Sequence, residues 1–461
     1  MLEGEAESPP RRYGLYVSAV LVALFFVRVL GEPWETRFPP MFPDALNPGR
    51  TDTYYAIAGL TPFRPSFYWA ARPVLYPAFV WLLGRTSQLI VLGQMATYCA
   101  AFGVLCLTAH QFIRNRLIAI ATVVVLVLIA IQGRFVLWNT QILSESLGVS
   151  LGIMVIAMWW RVAAAPTRRR VTWAWAWTIL WMLVRDSFVI PVLLGVLPAA
   201  VYYALRSRGL AGDVRRRLVS GALIALLVSG YIYVAQDVSN RNRYPLYNNV
   251  GQRILPDPEL RAWFERGGMP VDAALLGRQG KTAFDDDRFF VEDPSLARFR
   301  EWADGPGERR MTLSVVLRAR DWYDLLSRQW KHLLAYDFDA YDGYDVLQRL
   351  PTRMPFQLGG PGTPRALFLW LLAAAAVSWL AVGRAARPAP VKFAVVGVGL
   401  VLLELYTSFV ADSLEVERHL VGPLSRLGPM LVVCIAIGLD TLWRERRAAL
   451  VGDRDGNADG E

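Results

Sequence analysis

The stretch that decides the fold is residues 43–59, PDALNPGRTDTYYAIAG, which lies in the loop after the first apolar block of the chain. It carries two acids, Asp44 and Asp52, among Pro and Gly residues that break regular structure. From residue 51 onward the pattern predicts a short helix, because Thr or Asp can cap its start and a glycine ends it. A short helix with Tyr54 and Tyr55 near its start is typical of a segment at the headgroup level of a membrane.

The rest of the chain is too apolar for an ordinary soluble protein of its length. Hydrophobic residues make up 54% of it, and the mean hydropathy is +0.31. The apolar residues come in blocks of membrane-spanning length, which predicts an all-α polytopic membrane protein. The first block, residues 14–30, follows Arg11 and Arg12 and precedes no small-residue cleavage signal, so we expect it to be an uncleaved signal anchor.

About ten transmembrane helices are predicted from these blocks. They lie near residues 14–30, 89–112, 117–136, 142–160, 172–184, 188–205, 218–235, 366–382, 393–409 and 427–442. The predicted units are an N-terminal membrane module (1–235), an extracytoplasmic insertion of mixed secondary structure (236–365), C-terminal transmembrane helices (366–443) and a cytoplasmic tail (444–461). The module contains the first outer loop, residues 31–71, with its amphipathic helices. A short helix at residues 74–83 is either a re-entrant piece or the lead-in to the block at 89–112.

The net charge of +10 does not indicate nucleic-acid binding. The arginines cluster in short segments between apolar blocks, where positive residues set the orientation of membrane helices. Placing both termini in the cytoplasm puts these short segments inside and puts Asp44, Asp52, Glu145 and Arg185 at the outer face. Lysine occurs only at positions 281, 331 and 392, and this arginine bias indicates a high-GC bacterium and hence its plasma (inner) membrane.

The cysteines and the acids give no metal signature. Cys99, Cys106 and Cys434 lie inside apolar blocks and no C-x-x-C spacing occurs, so neither a disulfide framework nor a zinc site is predicted. We therefore predict no metal site and no required cofactor, while a divalent cation remains compatible with the acids.

Asp52 is the first candidate for chemistry. A general base for a sugar hydroxyl must be a carboxylate held at the membrane–water interface, between an aqueous acceptor and a lipid-borne donor. Asp52 begins a predicted helix at this interface. The alternative is that Asp52, like Asp44, is a helix cap or a solvated loop acid.

Glu145 and Arg185 are the next candidates. Glu145 falls in the first turn of a predicted span, where an ionisable group is functional by default. The alternative is that its carboxylate only interacts favourably with the helix dipole at the N-terminus. Arg185 can grip a phosphate with its bidentate fork, or it can form an internally neutralised pair with Asp186. Arg418 and His419 stand shortly before the last span, as further phosphate-binding cations or as ordinary interfacial residues.

Taken together, these features resemble the GT-C superfamily of integral membrane glycosyltransferases, which use polyprenyl-phosphate sugars. The protein O-mannosyltransferase and aminoarabinose-transferase branch is the most similar. The resemblance is carried by DTYYAIAG at 52–59, RPVLYP at 72–77, LSESL at 143–147, Arg185, and Arg418-His419 followed by Pro423. One departure is that Asp52 stands between threonines, with Asp44 eight residues upstream, where such enzymes often carry paired acids.

The resemblance implies sugar transfer from a polyprenyl-phosphate donor to an extracytoplasmic glycan, lipid or protein, with inversion. Asp52 or Asp44 would be the base and Glu145 would orient acceptor or sugar. Arg185, Arg418 and His419 would bind the donor phosphate. Substrate contacts would come from Tyr54, Tyr55, Arg72 and Tyr76.

Two other classes compete with this interpretation. One is a transporter or flippase of a lipid-linked or anionic substrate. That class should show polar residues at mid-membrane depth, whereas most of the predicted spans contain few polar residues there. The other is a structural or assembly protein of the membrane. A shared location for Asp52, Glu145 and Arg185 would favour the enzyme.

Overall fold

The structure is a computed structural model that describes residues 54–131, 138–139, 142–207, 209–239, 241, 243–283, 285, 293–335, 364–384, 388–411, 413 and 416–458, with residues 16, 19–21 and 23–24 near the N-terminus. The described residues form helices and turns, and none of them belongs to a strand. The all-α prediction is therefore confirmed for this part of the chain. Most of the predicted span at 14–30, and the loop that carries Asp44 and Asp52, lie outside it.

The membrane part is built from long helices. They are α4 (Ser87–Phe112), α5 (Arg116–Ala130), α6 (Ser144–Ala164), α7 (Arg168–Met182), α8 (Asp186–Arg206), α9 (Gly212–Val238), α16 (Pro364–Val382), α17 (Ala389–Ala411) and α18 (Val416–Ala458). Six segments in the described part are long and apolar enough to cross a membrane: α4, α6, α8, α9, α17 and residues Gly422–Leu450 of α18. The apolar helices Arg116–Ala130 and Phe368–Val382 are shorter, and α7 begins with arginines. The chain is a multi-pass protein by these helices, and the count of ten stays a prediction.

Two of the helix starts show why the chain turns where it does. The side chain of Asn115 accepts hydrogen bonds from Leu117 N (3.0 Å) and Ile118 N (3.2 Å), which caps α5. Thr167 Oγ1 accepts from Arg170 N at 3.3 Å and caps α7. Both caps satisfy amide groups that the first turn of a helix leaves without a helical acceptor.

The described part of the first loop forms two short helices, α1 (Tyr54–Ala58) and α2 (Pro65–Tyr68), and a third, α3 (Leu75–Leu82), follows the loop. As the sequence predicts, α1 ends immediately before Gly59. Helix α3 is a separate element, because Gly84 and Arg85 adopt positive φ angles of 65° and 55° and turn the chain before α4 begins. It is therefore no continuous lead-in to the span that follows.

In the residues that the structure describes, the predicted mixed insertion consists of short helices joined by turns, with no strand. Its elements are α10 (Arg243–Asn249), α11 (Pro258–Glu265), α12 (Ala273–Leu276), α13 (Ala297–Trp302), α14 (Glu308–Leu317) and α15 (Ala319–Ala335). It is fastened to the end of α17, since Asn249 Nδ2 donates to the carbonyls of Val410 and Ala411, each at 3.0 Å. The expectation of mixed secondary structure was wrong for the described residues, because their short segments are helical turns and none of them is a strand.

Helix α6 lies at the centre of the fold. Most of its residues are buried, and it contributes to two apolar clusters. Val149 and Ile153 pack in one cluster with α4, α5, α17 and α18, whereas Leu147 and Leu151 pack in the other with α7, α8 and α9. The first turn of α6, which carries Glu145, therefore begins where two halves of the core meet.

Candidate functional site

Glu145 and Arg185 form a buried ion pair. Arg185 Nη1 donates to Glu145 Oε1 at 2.9 Å. Glu145 is 1% exposed and Arg185 is 7% exposed. Charges removed from water to this degree are stable only when they are paired and hydrogen-bonded, so each residue depends on the other.

The local structure explains how the two side chains reach each other. Glu145 lies in the first turn of α6, as predicted, and Ser144 Oγ donates to its Oε2 at 3.3 Å. A carboxylate in this position also interacts favourably with the helix dipole. Arg185 follows the end of α7 in an extended conformation (φ −153°, ψ 140°) and precedes the short 3₁₀ turn Asp186–Phe188.

The alternative partner of Arg185 considered from the sequence, Asp186, is engaged elsewhere. Gln236 Nε2 donates to Asp186 Oδ2 at 2.6 Å, and Ser187 N donates to Oδ1 at 2.8 Å. Gln236 lies near the end of α9, so Asp186 links the start of α8 to that helix. Arg185 instead reaches across to α6.

A second buried pair, which the sequence analysis missed, joins α17 to α18. Arg426 Nη2 donates to Glu404 Oε1, and both side chains are 2% exposed. The guanidinium carbon of Arg426 lies 4.6 Å from the ring centre of Trp181 and 5.3 Å from that of Phe188. These rings stack on each other at 4.8 Å, an arrangement in which a cation over the ring faces is stabilised.

Both pairs face the same side of α6. Gly148 and Gly152 follow Glu145 by three and seven residues, so they share its helix face. A Cβ on Gly148 would lie 2.6 Å from the ring of Phe188, and one on Gly152 would lie 2.4 Å from Arg426 Nη1. We call Glu145, Arg185, Glu404 and Arg426 the charge cluster; its formal charges sum to zero, and the two glycines make room for it.

The four members of the charge cluster could have been singled out from the sequence, although their pairing could not. Glu404 stands inside a predicted span at 393–409, and Arg426 directly precedes the span at 427–442. The rule that singles out Glu145, an ionisable group within an apolar span, applies directly to Glu404 and extends to Arg426 at the edge of the next span.

A chain of buried hydrogen bonds connects α3, the helix after the first loop, to this site. Tyr76 Oη donates to Gln94 Oε1 at 2.7 Å, and Gln94 Nε2 donates to Asn139 O at 2.8 Å. Ser146 Oγ then donates to Asn139 Oδ1 at 2.7 Å, next to Glu145. Tyr76, a predicted substrate contact, is thus fully buried in a network that fixes α3 against the start of α6.

The backbone makes a second connection. Leu75 N, at the start of α3, donates to Leu183 O at 2.9 Å, two residues before Arg185. Tyr231 Oη of α9 donates to Tyr68 O at 2.7 Å. The described part of the first loop is therefore fixed at the same end of the helices as Arg185.

The arginine-rich turns lie at the other end of these helices. Asp440, far along α18 from Arg426, accepts hydrogen bonds from Arg114 N (3.0 Å) and Asn115 N (2.8 Å) just after α4 ends. Arg161, near the end of α6, donates from Nε to Thr108 Oγ1 at 2.8 Å. The separation of basic turns from the charge cluster is what the predicted orientation requires.

The remaining candidates are placed only in part. Asp44 and Asp52 lie outside the described residues. Tyr54 and Tyr55 are the first residues of α1, and Arg418 and His419 lie in the first turn of α18; the side chains of these four residues are outside the described part. Arg72 is half-buried ahead of α3. Within the described ranges, no group of three or more His, Cys, Asp or Glu residues is placed to hold a metal ion.

Comparison with known proteins gives a structural likeness to a solved structure. No family model matches the sequence, and no curated protein matches it. Among solved structures, the chain is similar to the archaeal oligosaccharyltransferase AglB from Archaeoglobus fulgidus in complex with an inhibitory peptide and a dolichol-phosphate, with a TM-score of 0.43 and 13% sequence identity. The match covers 91% of this chain and 50% of the other, so the chain spans half the length of that structure.

Proposed function

We propose that this chain is a membrane glycosyltransferase that moves a sugar from a polyprenyl-phosphate donor to an extracytoplasmic glycan, lipid or protein. The observation that carries the proposal is the contact between Glu145 and Arg185 beside the anchored first loop. The segments that resemble GT-C enzymes are far apart in the sequence. Those that the structure describes meet at one end of the helices, opposite the arginine-rich turns.

The charge cluster suits a departing phosphate. Arg185 is held in place by Glu145, so its fork is oriented before a substrate arrives. Fixed donors in a site of low dielectric stabilise a charge that develops during reaction more strongly than mobile ones in water. The four formal charges of the cluster balance when no substrate is bound. Because Arg185 is paired with Glu145, the donor phosphate must compete with Glu145 for Arg185.

In the proposed reaction, Asp52, or Asp44 in its place, removes the proton of the acceptor hydroxyl. The hydroxyl oxygen attacks the anomeric carbon of the sugar as the bond from that carbon to the phosphate oxygen breaks. The bonding electrons leave with the polyprenyl phosphate, and one displacement inverts the configuration. Arg185, with Arg418 and His419, neutralises the phosphate, and Glu145 orients the acceptor or sugar.

The proposal is tested with membranes that contain the protein and a panel of radiolabelled polyprenyl-phosphate sugars. We expect label to pass from one donor to a glycan, lipid or protein product. Membranes with the Asp52→Asn variant, matched for protein amount, should give none. If no donor is consumed while labelled lipid moves between leaflets in a protein-dependent manner, the chain is a transporter and the enzyme proposal is wrong.

A further inference from the structure

Helix α14 exposes an apolar face in a region that is otherwise polar. Leu313 is 50% exposed, Val316 is 76% exposed and Leu317 is 64% exposed. The spacing of these residues, three and four apart, places them on one side of the helix. We call these three residues the α14 face.

The exposure does not arise from loose packing of this helix. On its other side, Ser314 is buried and its hydroxyl accepts a hydrogen bond from Trp322 Nε1 of α15 at 3.2 Å. Trp322 itself is fully buried. Helices α14 and α15 are therefore fixed against each other, and α14 has a packed side and an apolar side that no other described part of the chain covers.

A contact with a membrane helix sets the depth of α14. Tyr406 Oη of α17 donates to Val315 O at 2.8 Å. Tyr406 stands five residues before the end of α17 at Ala411, which is about 7.5 Å along the helix axis. Val315, and with it the α14 face, thus lies beside the last turns of a candidate span, where hydrocarbon gives way to headgroups.

The charges around the α14 face fit a lipid surface. Arg309 precedes it and Arg320 follows it, and both are exposed. Helices that lie in a membrane interface carry apolar side chains on one face and arginines or lysines beside them, since the cations meet lipid phosphates while the apolar groups reach the acyl boundary.

We propose that the α14 face is immersed in the lipid bilayer, at the headgroup boundary of the leaflet on the side of the charge cluster. Lipid is the occupant because the face lies beside the end of a membrane helix and has exposed arginines at its borders. This insertion anchors α14 and α15 as a membrane-surface element. The proposal requires only that α17 spans a membrane, and it does not depend on sugar transfer.

The test uses the full-length protein in phospholipid vesicles with a single fluorophore. Cysteine is introduced as Val316→Cys or Leu317→Cys and labelled with bimane; the control is Ser327→Cys, an exposed polar position on α15. The native cysteines Cys99, Cys106 and Cys434 are buried, and wild-type protein taken through the same labelling gives their background. Quenching is measured with lipids that carry a nitroxide near the headgroup and with iodide in water.

We expect lipid quenching at positions 316 and 317 to be several-fold stronger than at 327, and iodide quenching to be several-fold weaker. Iodide quenching equal to that at 327 would show that the face is in water and would overturn the proposal. Protection from both quenchers would show that protein covers the face, which also overturns it. Each label replaces an exposed side chain, so we expect the labelled variants to fold as the wild type does and the quenching to report on the folded protein.

Discussion

Arg185 Nη1 and Glu145 Oε1 lie 2.9 Å apart, although the two residues are separated by 40 positions in the sequence. The pair closes the contact between the end of α7 and the first turn of α6, and both partners are buried. Breaking such a pair by removing one partner costs about 3–5 kcal/mol, because the other charge is left in a poorly solvated place. The pair is thus part of the stability of the fold as well as of the proposed site.

Stability and donor use can be separated with a double-mutant cycle on this pair. Arg185→Gln and Glu145→Gln should each lower the midpoint of thermal unfolding in detergent. The double variant should regain part of the loss, with a coupling energy of about 1–3 kcal/mol, because it buries two neutral amides. Donor use should not recover, since no guanidinium is left at position 185 to meet the phosphate.

The control for this cycle is Asp186→Asn, which changes the neighbouring acid that hydrogen-bonds to Gln236. It should leave the concentration of donor needed for half-maximal transfer unchanged. If the double variant transfers sugar at the wild-type donor concentration, Arg185 is a structural residue and not a phosphate ligand.

Gly152→Ala should destabilise the protein. The new Cβ would lie 2.4 Å from Arg426 Nη1 and 2.6 Å from its Cδ. Arg426 cannot move away freely, because it is bonded to Glu404 and lies over Trp181. We expect a loss of about 1–3 kcal/mol, the usual cost of overpacking, measured as a lower unfolding midpoint.

Gly230→Ala provides the matched control, because Gly230 lies inside α9 and a Cβ added there would meet no described atom within 4 Å. Alanine there should leave the midpoint unchanged or raise it, by up to about 1 kcal/mol of helix preference. Equal effects at 152 and 230 would mean that the close approach of Arg426 to α6 is not a feature of the folded protein.

The sequence predicted the position of each charged residue better than its partner. Glu145 in the first turn of a span and Arg185 at the end of another follow from local patterns of apolar and polar residues. Their contact does not, because the partner of a buried charge is decided by how helices far apart in the sequence pack. The adjacent Asp186 was therefore a reasonable partner to consider, and the structure engages it with Gln236 instead.

Some local structure was also beyond prediction. The π-helical turn Val192–Val196 interrupts a helix, and the π-helical turn Val250–Ile254 ends one, where the sequence carries no signal for a wider turn. In the insertion, the short segments between Pro and Gly residues are too brief for periodicity to separate helix from strand. Their helical state depends on tertiary contacts, such as the one between Asn249 and the end of α17.

Asp52→Asn should abolish sugar transfer and leave membrane insertion and expression intact. The amide keeps the shape of the side chain and can still accept a hydrogen bond, but it cannot take a proton from the acceptor. Transfer is measured with the radiolabelled donor identified above, and the protein amount is measured in the same membranes. Full activity in this variant, together with none in Asp44→Asn, would assign the base to Asp44.

The stability of the insertion should depend on pH through Asp293. Hydrogen bonds from the side chain and the backbone N–H of Ser295 lower the pKa of Asp293 below its ordinary value of 3.8, and Arg278, at 2.5 Å, adds to the effect. Because the folded-state pKa is lowered, the stabilisation is present above the ordinary value and is lost as pH falls toward the folded-state value. The unfolding midpoint of Asp293→Asn should lie below that of wild type at neutral pH, and the two should converge in acid. A gap that stays constant down to acid pH would exclude the ionised carboxylate as its source.

Asp440 fastens the turn between α4 and α5 to α18, and Asp440→Leu should release it. The carboxylate is 2% exposed and accepts from two consecutive backbone amides, Arg114 N and Asn115 N. A leucine of similar size leaves both amides without this acceptor, at a cost of about 1–3 kcal/mol for a buried polar group. Asp440→Asn keeps one oxygen acceptor and should lose less.

Arg444, which lies 3.2 Å from the same carboxylate, is partly exposed, so Arg444→Gln should cost less than about 1 kcal/mol. Thermal unfolding of the three variants should therefore rank Asp440→Leu below Asp440→Asn and Asp440→Asn below Arg444→Gln. A larger loss for Arg444→Gln than for Asp440→Leu would show that the ion pair, and not the capping of the turn, holds this end of the helices together.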